Sequence, residues 1–271
     1  MSALSTSMPF RGRVTQAHVV RSELTKLTSL RSTRWSMLIA VVLTIALPVI
    51  FAAVTASRWS TMRLHERLSR HPLDIALAGV NISQLAIGIL GVLVITGEYS
   101  TGMIRASLTA VPKRLPVLWA KLGVFAVVSF LLMLPSVLIA FAASQAILRN
   151  HHILQISFSA NGVARSVVGG AVYLMLLGVF ALALGAIARN TAAGIGIFAA
   201  IFFVIPPLLN ILPTNWHDAI AGYLPDAAGR DIFALTHGTH DLAPWPGFFL
   251  FCGYCAVTIA AAAVLLLRRD T

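Results

Sequence analysis

The chain has 271 residues, 58% of them hydrophobic and only 11% charged, with a mean hydropathy of +0.86. Soluble domains carry about 25% charged residues, so a large water-soluble core is excluded and lipid is the expected solvent. The formal charge of +11 then reads as basic flanks on membrane spans, facing an anionic leaflet, and not as a nucleic-acid surface.

Residues 1–34 form an N-terminal segment ahead of a six-span domain over 35–271. Ala17, Val20, Leu24 and Leu27 share one helical face, with Arg21, Ser22, Thr25 and Lys26 turned away. That pattern predicts an amphipathic helix lying along the membrane surface. A bilayer-crossing helix needs about 20 apolar residues. Six runs meet this: Met37–Ala56, Ile75–Thr96, Leu122–Ala143, Val167–Ala188, Ala192–Leu212 and Gly247–Leu267. The fold class is therefore an all-α membrane protein. Val54-Thr55-Ala56 resembles a signal-peptide cleavage site, but the first run is too long for a signal core and 36 residues precede it, so it reads as a retained span.

None of the six runs contains Asp, Glu, Lys, Arg or His. Ion-driven carriers place ionisable groups inside their spans, and an intramembrane enzyme needs a nucleophile, base or metal ligand there. Neither class fits. With six spans both termini share a side, and that side carries thirteen of the 20 Lys and Arg residues. The excess places both termini in the cytosol of a plasma (inner) membrane protein. In the second run, Asn81 and Gln84 lie three apart on one face and should turn toward protein or a cavity, because amides are costly in lipid.

The most informative segment follows that run. Gly97 is a helix breaker, so Glu98 is expected to begin a new helix in which Ile104, Leu108 and Val111 share a face, with Pro112 ending it and Lys113 and Arg114 anchoring the turn. The stretch Glu98-Tyr99-Ser100-Thr101-Gly102-Met103-Ile104-Arg105, then Leu108-Thr109-Ala110-Val111-Pro112-Lys113-Arg114 and Lys121, resembles the loop of type-2 ATP-binding-cassette (ABC) exporter permeases, as does the plan of six spans, amphipathic N-terminal helix and long last outer loop. Arg189-Asn190-Thr191-Ala192 is similar to the tight inner turn of that family between spans four and five. The resemblance implies a cytosolic coupling helix over Glu98–Arg114, with Glu98, Tyr99, Gly102, Met103, Arg105, Leu108, Pro112 and Arg114 engaging a separate nucleotide-binding ATPase subunit. It also implies a second permease copy or paralogue, with Asn81 and Gln84 at a cavity or the dimer seam. ATP and Mg would sit on the ATPase; this chain is expected to bind no cofactor, to be no enzyme and to export a lipid-like, drug-like or other amphipathic cargo. No G-x-x-x-x-G-K-[ST] phosphate loop occurs in the chain. The alternative is a non-transporting scaffold or sensor that binds a cytosolic partner through the same loop.

Gly88, Gly91, Gly169, Gly170, Gly178, Gly185, Gly194 and Gly196 read as helix-packing positions, and Pro48, Pro135 and Pro206-Pro207 as kinks. The outer loop Pro213–Pro246, with Trp216, Tyr223, Phe233 and Trp245, predicts short helices dipping back toward the bilayer. The loop histidines His151, His152, His237 and His240 read as solvated, and Cys252 and Cys255 as packing residues of the last span.

Overall fold

A computed structural model describes residues 16–103, 114–153, 155–235, 238 and 241–268. Among these residues the chain is all-helical. The helices are α1 (Gln16–Ser29), α2 (Arg31–Arg58), α3 (Leu64–Leu68), α4 (Pro72–Ser100), α5 (Arg114–Asn150), α6 (Val163–Ala188), α7 (Thr191–Leu209), α8 (Thr214–Ile220), α9 (Pro225–Arg230) and α10 (Pro244–Arg268). Six of them, α2, α4, α5, α6, α7 and α10, are long and apolar enough to cross a membrane, as expected of a multi-pass membrane protein.

The helices outrun the apolar runs. α5 has 37 residues, about 55 Å at 1.5 Å per residue, against a hydrocarbon core of about 30 Å. It is thus longer than a span requires, and Lys121 lies in its first turns, ahead of the apolar run. The domain boundary expected at residue 34 falls inside α2, which starts at Arg31.

α6 is the central helix: 72% of its most apolar window is buried, against 17% for α7. Its neighbours come close because both sides present glycine. A methyl at Gly91 of α4 would stand 2.3 Å from the Gly178 carbonyl oxygen, and one at Gly185 would stand 2.8 Å from Ile95. At Gly88 it would strike the Phe198 ring of α7 at 2.0 Å. The small-residue positions thus bring α4, α6 and α7 into backbone-level contact. Gly196 differs from the expectation, being exposed with open space beside it.

Proline shapes two other helices. Pro48 cannot donate to the Thr44 carbonyl, and Gly79 of α4 packs onto that orphaned oxygen so closely that a methyl there would lie 2.4 Å away. Beside it, the Thr44 hydroxyl bonds both Ala40 O (2.7 Å) and Ser83 Oγ (2.7 Å), stitching α2 to α4 in the apolar middle. Before Pro206-Pro207, α7 widens into a π turn over Ala200–Val204, where the Ile205 N–H reaches Ala200 O.

The segment after α7 folds into α8, a 3-10 turn at Ala221–Tyr223, and α9, as its aromatic content suggests. It caps the bundle: Ile232 and Phe233 are buried against α6 and α10, and Arg165 donates to Ile232 O (3.1 Å) and Ala234 O (3.0 Å). Cys255 packs in the bundle, its thiol on Leu176 O at 3.6 Å.

Candidate functional site

The end of the bundle that carries α1 holds a closed ring of four charges. α1 brings Glu23 and Lys26, α4 brings Glu98, and α5 brings Lys121. The Lys26 ammonium donates to Glu23 Oε1 (2.7 Å) and Glu98 Oε1 (3.0 Å). The Lys121 ammonium donates to Glu98 Oε1 (2.8 Å) and to Glu23 Oε2. Glu23, Glu98 and Lys121 are each at most 4% exposed. Among the described residues the ring sets two acids against two cations, the pairing under which burial of ionised groups is tolerated. Burial alone would lower the Lys26 ammonium, but its hydrogen bonds to Glu23 and Glu98 and the charges behind them hold it above its usual value.

This arrangement corrects two sequence expectations. Gly97 does not break the helix: α4 runs on through Glu98 to Ser100, and the turn comes at Gly102, whose φ of +71° suits glycine. The helix end is tied off instead by the Ser100 (3.0 Å) and Thr101 (2.8 Å) hydroxyls, both donating to Gly97 O. A carboxylate in the last turn opposes the helix dipole, and the two lysines offset that cost. The second correction concerns α1. Its buried residues are Val19, Glu23 and Leu27, while Val20 and Leu24 stay 43% and 44% exposed. The helix is rotated from the purely apolar face because its one acid must reach the lysines, and Val19 packs with Val117 and Ala120 of α5.

Of the residues singled out in sequence, Glu98 is turned into the ring. Tyr99 lies under the Arg189 guanidinium, 5.5 Å from the ring centroid. Arg189 itself sits in a tight α6–α7 turn, in the left-handed region with φ 53°, and donates to Leu265 O of α10 (3.3 Å). Asn190 caps α7 by accepting from Ala193 N at 3.0 Å, and Thr191 bonds Thr96 at 2.9 Å. Met103 and Gly102 are exposed. Arg114 begins α5. Arg105, Leu108 and Pro112 lie outside the described residues, as do His237 and His240. Glu23 was missed, though it is the only acid before Glu66 and sits four residues from both Val19 and Leu27.

At the other end, Asn81 and Gln84 part company. Gln84 is buried and accepts from the Tyr173 hydroxyl at 2.5 Å, an interhelical bond between α4 and α6. Asn81 instead lines a cavity of about 330 Å³ with Asp74, Arg230, Asp231 and Asp241. There burial, and then the charge of Asp241, push the Asp231 carboxyl up to about 7. Burial also raises Asp226, against the pull of its ion pair with Arg230. Among the described residues no group of three or more His, Cys, Asp and Glu side chains could hold a metal ion. No protein-family model matches the chain, and no curated protein matches it.

Proposed function

We propose that the chain is the membrane permease subunit of an ABC exporter, moving an amphipathic cargo with ATP hydrolysed on a separate nucleotide-binding subunit. The observation that carries this reading is the charged ring at the root of the coupling segment. Glu98 sits in the last turn of α4, just ahead of the segment that leads on to α5; it is bonded to α1 and α5, while Tyr99 touches the α6–α7 turn. A push on the segment would move the ends of α1, α4 and α5 and the α6–α7 turn together, as a transmission element must. In this reading α1 lies along the cytosolic interface with Val20 and Leu24 toward lipid, both termini are cytosolic, and a second permease copy completes the path. Glu98 acts as the pivot inside the permease, leaving Tyr99, Gly102, Met103 and the residues beyond them to meet the ATPase.

The test is co-purification of the tagged chain from its own host membrane. A nucleotide-binding subunit should come down with the wild type, and Gly102→Trp should lose it while still inserting in the membrane. Wild-type protein that retains no ATPase, or a Gly102→Trp variant that retains it fully, removes the reading.

A further inference from the structure

Beside the charged ring lies a second cavity, of about 220 Å³, between the first turn of α2 and the last turns of α4. Leu30, Ser32 and Thr33 line one wall, and Leu93, Val94 and Glu98 the other. Both lysines of the ring bind the same oxygen of Glu98, its Oε1. Oε2 is buried and has no hydrogen-bond partner among the described residues, on a side chain only 5% exposed. A buried carboxylate oxygen left without a donor is costly. The opposite wall carries the complementary polarity: α2 is a 28-residue helix whose N-terminus no side chain caps. Its first N–H groups and the Ser32 and Thr33 hydroxyls offer donors, and its dipole favours negative charge there.

We propose that this cavity holds the head group of a zwitterionic amphiphile with a primary ammonium. A small rotation of the Glu98 carboxylate brings its buried Oε2 to the cavity wall, where the ammonium donates to it in a charge-assisted hydrogen bond. The head's anionic oxygen faces the start of α2, and its hydrocarbon runs out over Leu93 and Val94. A zwitterion leaves the balance of Glu23, Lys26, Glu98 and Lys121 unchanged, whereas a simple cation or anion would shift it. The volume accepts a head group and no more, since pockets that enclose a whole small molecule run to about 300–1,000 Å³. The proposal concerns a ligand of the chain itself and does not depend on export or on any ATPase.

The test uses the full chain in detergent, titrated by native mass spectrometry with palmitoyl lysophosphatidylethanolamine and with its N-trimethyl counterpart. The two probes share tail and phosphate and differ in the N–H donors. The expected result is binding of the ammonium probe at least tenfold tighter than the trimethyl probe. Gly97 lines the cavity, and a side chain added there meets nothing within 4 Å. Gly97→Leu should therefore fill the space without disturbing the ring and abolish the discrimination, with thermal unfolding unchanged. Equal binding of both probes, binding of neither (a cavity that holds water only), or discrimination surviving in Gly97→Leu would each overturn the proposal.

Discussion

Lys121 and Lys26 make the same two ion pairs, but their surroundings differ: the Lys121 side chain is 3% exposed and that of Lys26 24%. Removing the buried ammonium leaves Glu23 and Glu98 to share one partly exposed lysine, so Lys121→Met should cost about 3–5 kcal/mol. Water can replace part of what Lys26 supplies, so Lys26→Met should cost about 1 kcal/mol. The pair Glu23→Gln with Lys121→Met should recover part of the loss, because it removes a charge of each sign. Thermal unfolding in detergent checks the order. Equal destabilisation by the two lysine variants would show that the ring is open to water.

At the scale of the helix, the glycines give a paired prediction. Gly91→Leu forces a side chain onto the Gly178 carbonyl and the Leu182 amide, at 2.3 and 3.1 Å from its first carbon. It should destabilise by at least the roughly 1–3 kcal/mol typical of overpacking, because the atoms it meets are backbone and cannot swing aside. Gly196→Leu adds a side chain to an exposed apolar surface with nothing within 4 Å and should leave folding unchanged. Yield of monodisperse protein after solubilisation separates the two, and a tolerated Gly91→Leu would mean that α4 and α6 do not touch at this point. The sequence distinguishes these glycines poorly, since spacing alone marks Gly91 and Gly196 alike. Legibility follows the same physics elsewhere. The six apolar runs are plain because lipid imposes their length, and the π turn before Pro206-Pro207 is half visible, as a disturbance whose form depends on the two missing donors. Glu98 stood out as an acid past a span, but that it turns inward depends on Glu23, seventy-five residues earlier, and on Lys121 being carried onto α5 beyond the apolar run.

Across the whole molecule, ionised groups gather at the two ends of an apolar bundle, and the ends differ in kind. The ring at the α1 end sets two acids against two lysines among the described residues. The cap at the other end gathers Asp74, Asp231 and Asp241 around a cavity with Arg230, so acid is in excess there. Asp231 feels this most, because Gly247 at the start of α10 is packed onto its carboxylate: a methyl at Gly247 would lie 2.7 Å from Oδ2. Burial and Asp241 raise its carboxyl from the usual 3.8 to about 7, so the folded cap favours the protonated form more than the unfolded chain does. The stabilising contribution is therefore complete below pH 4 and is lost as the pH rises through about 7. The cap over 225–235 should loosen across that interval while the α4–α6 core does not. Amide hydrogen exchange, corrected for the intrinsic pH dependence of the chemistry, should show protection in 225–235 falling between pH 4 and 7. Asp231→Asn, neutral at every pH, should hold the acid-state protection throughout. If the variant loosens with the wild-type profile, the titrating group lies elsewhere, and Asp231 is already ionised at pH 4 within a cap that tolerates its charge.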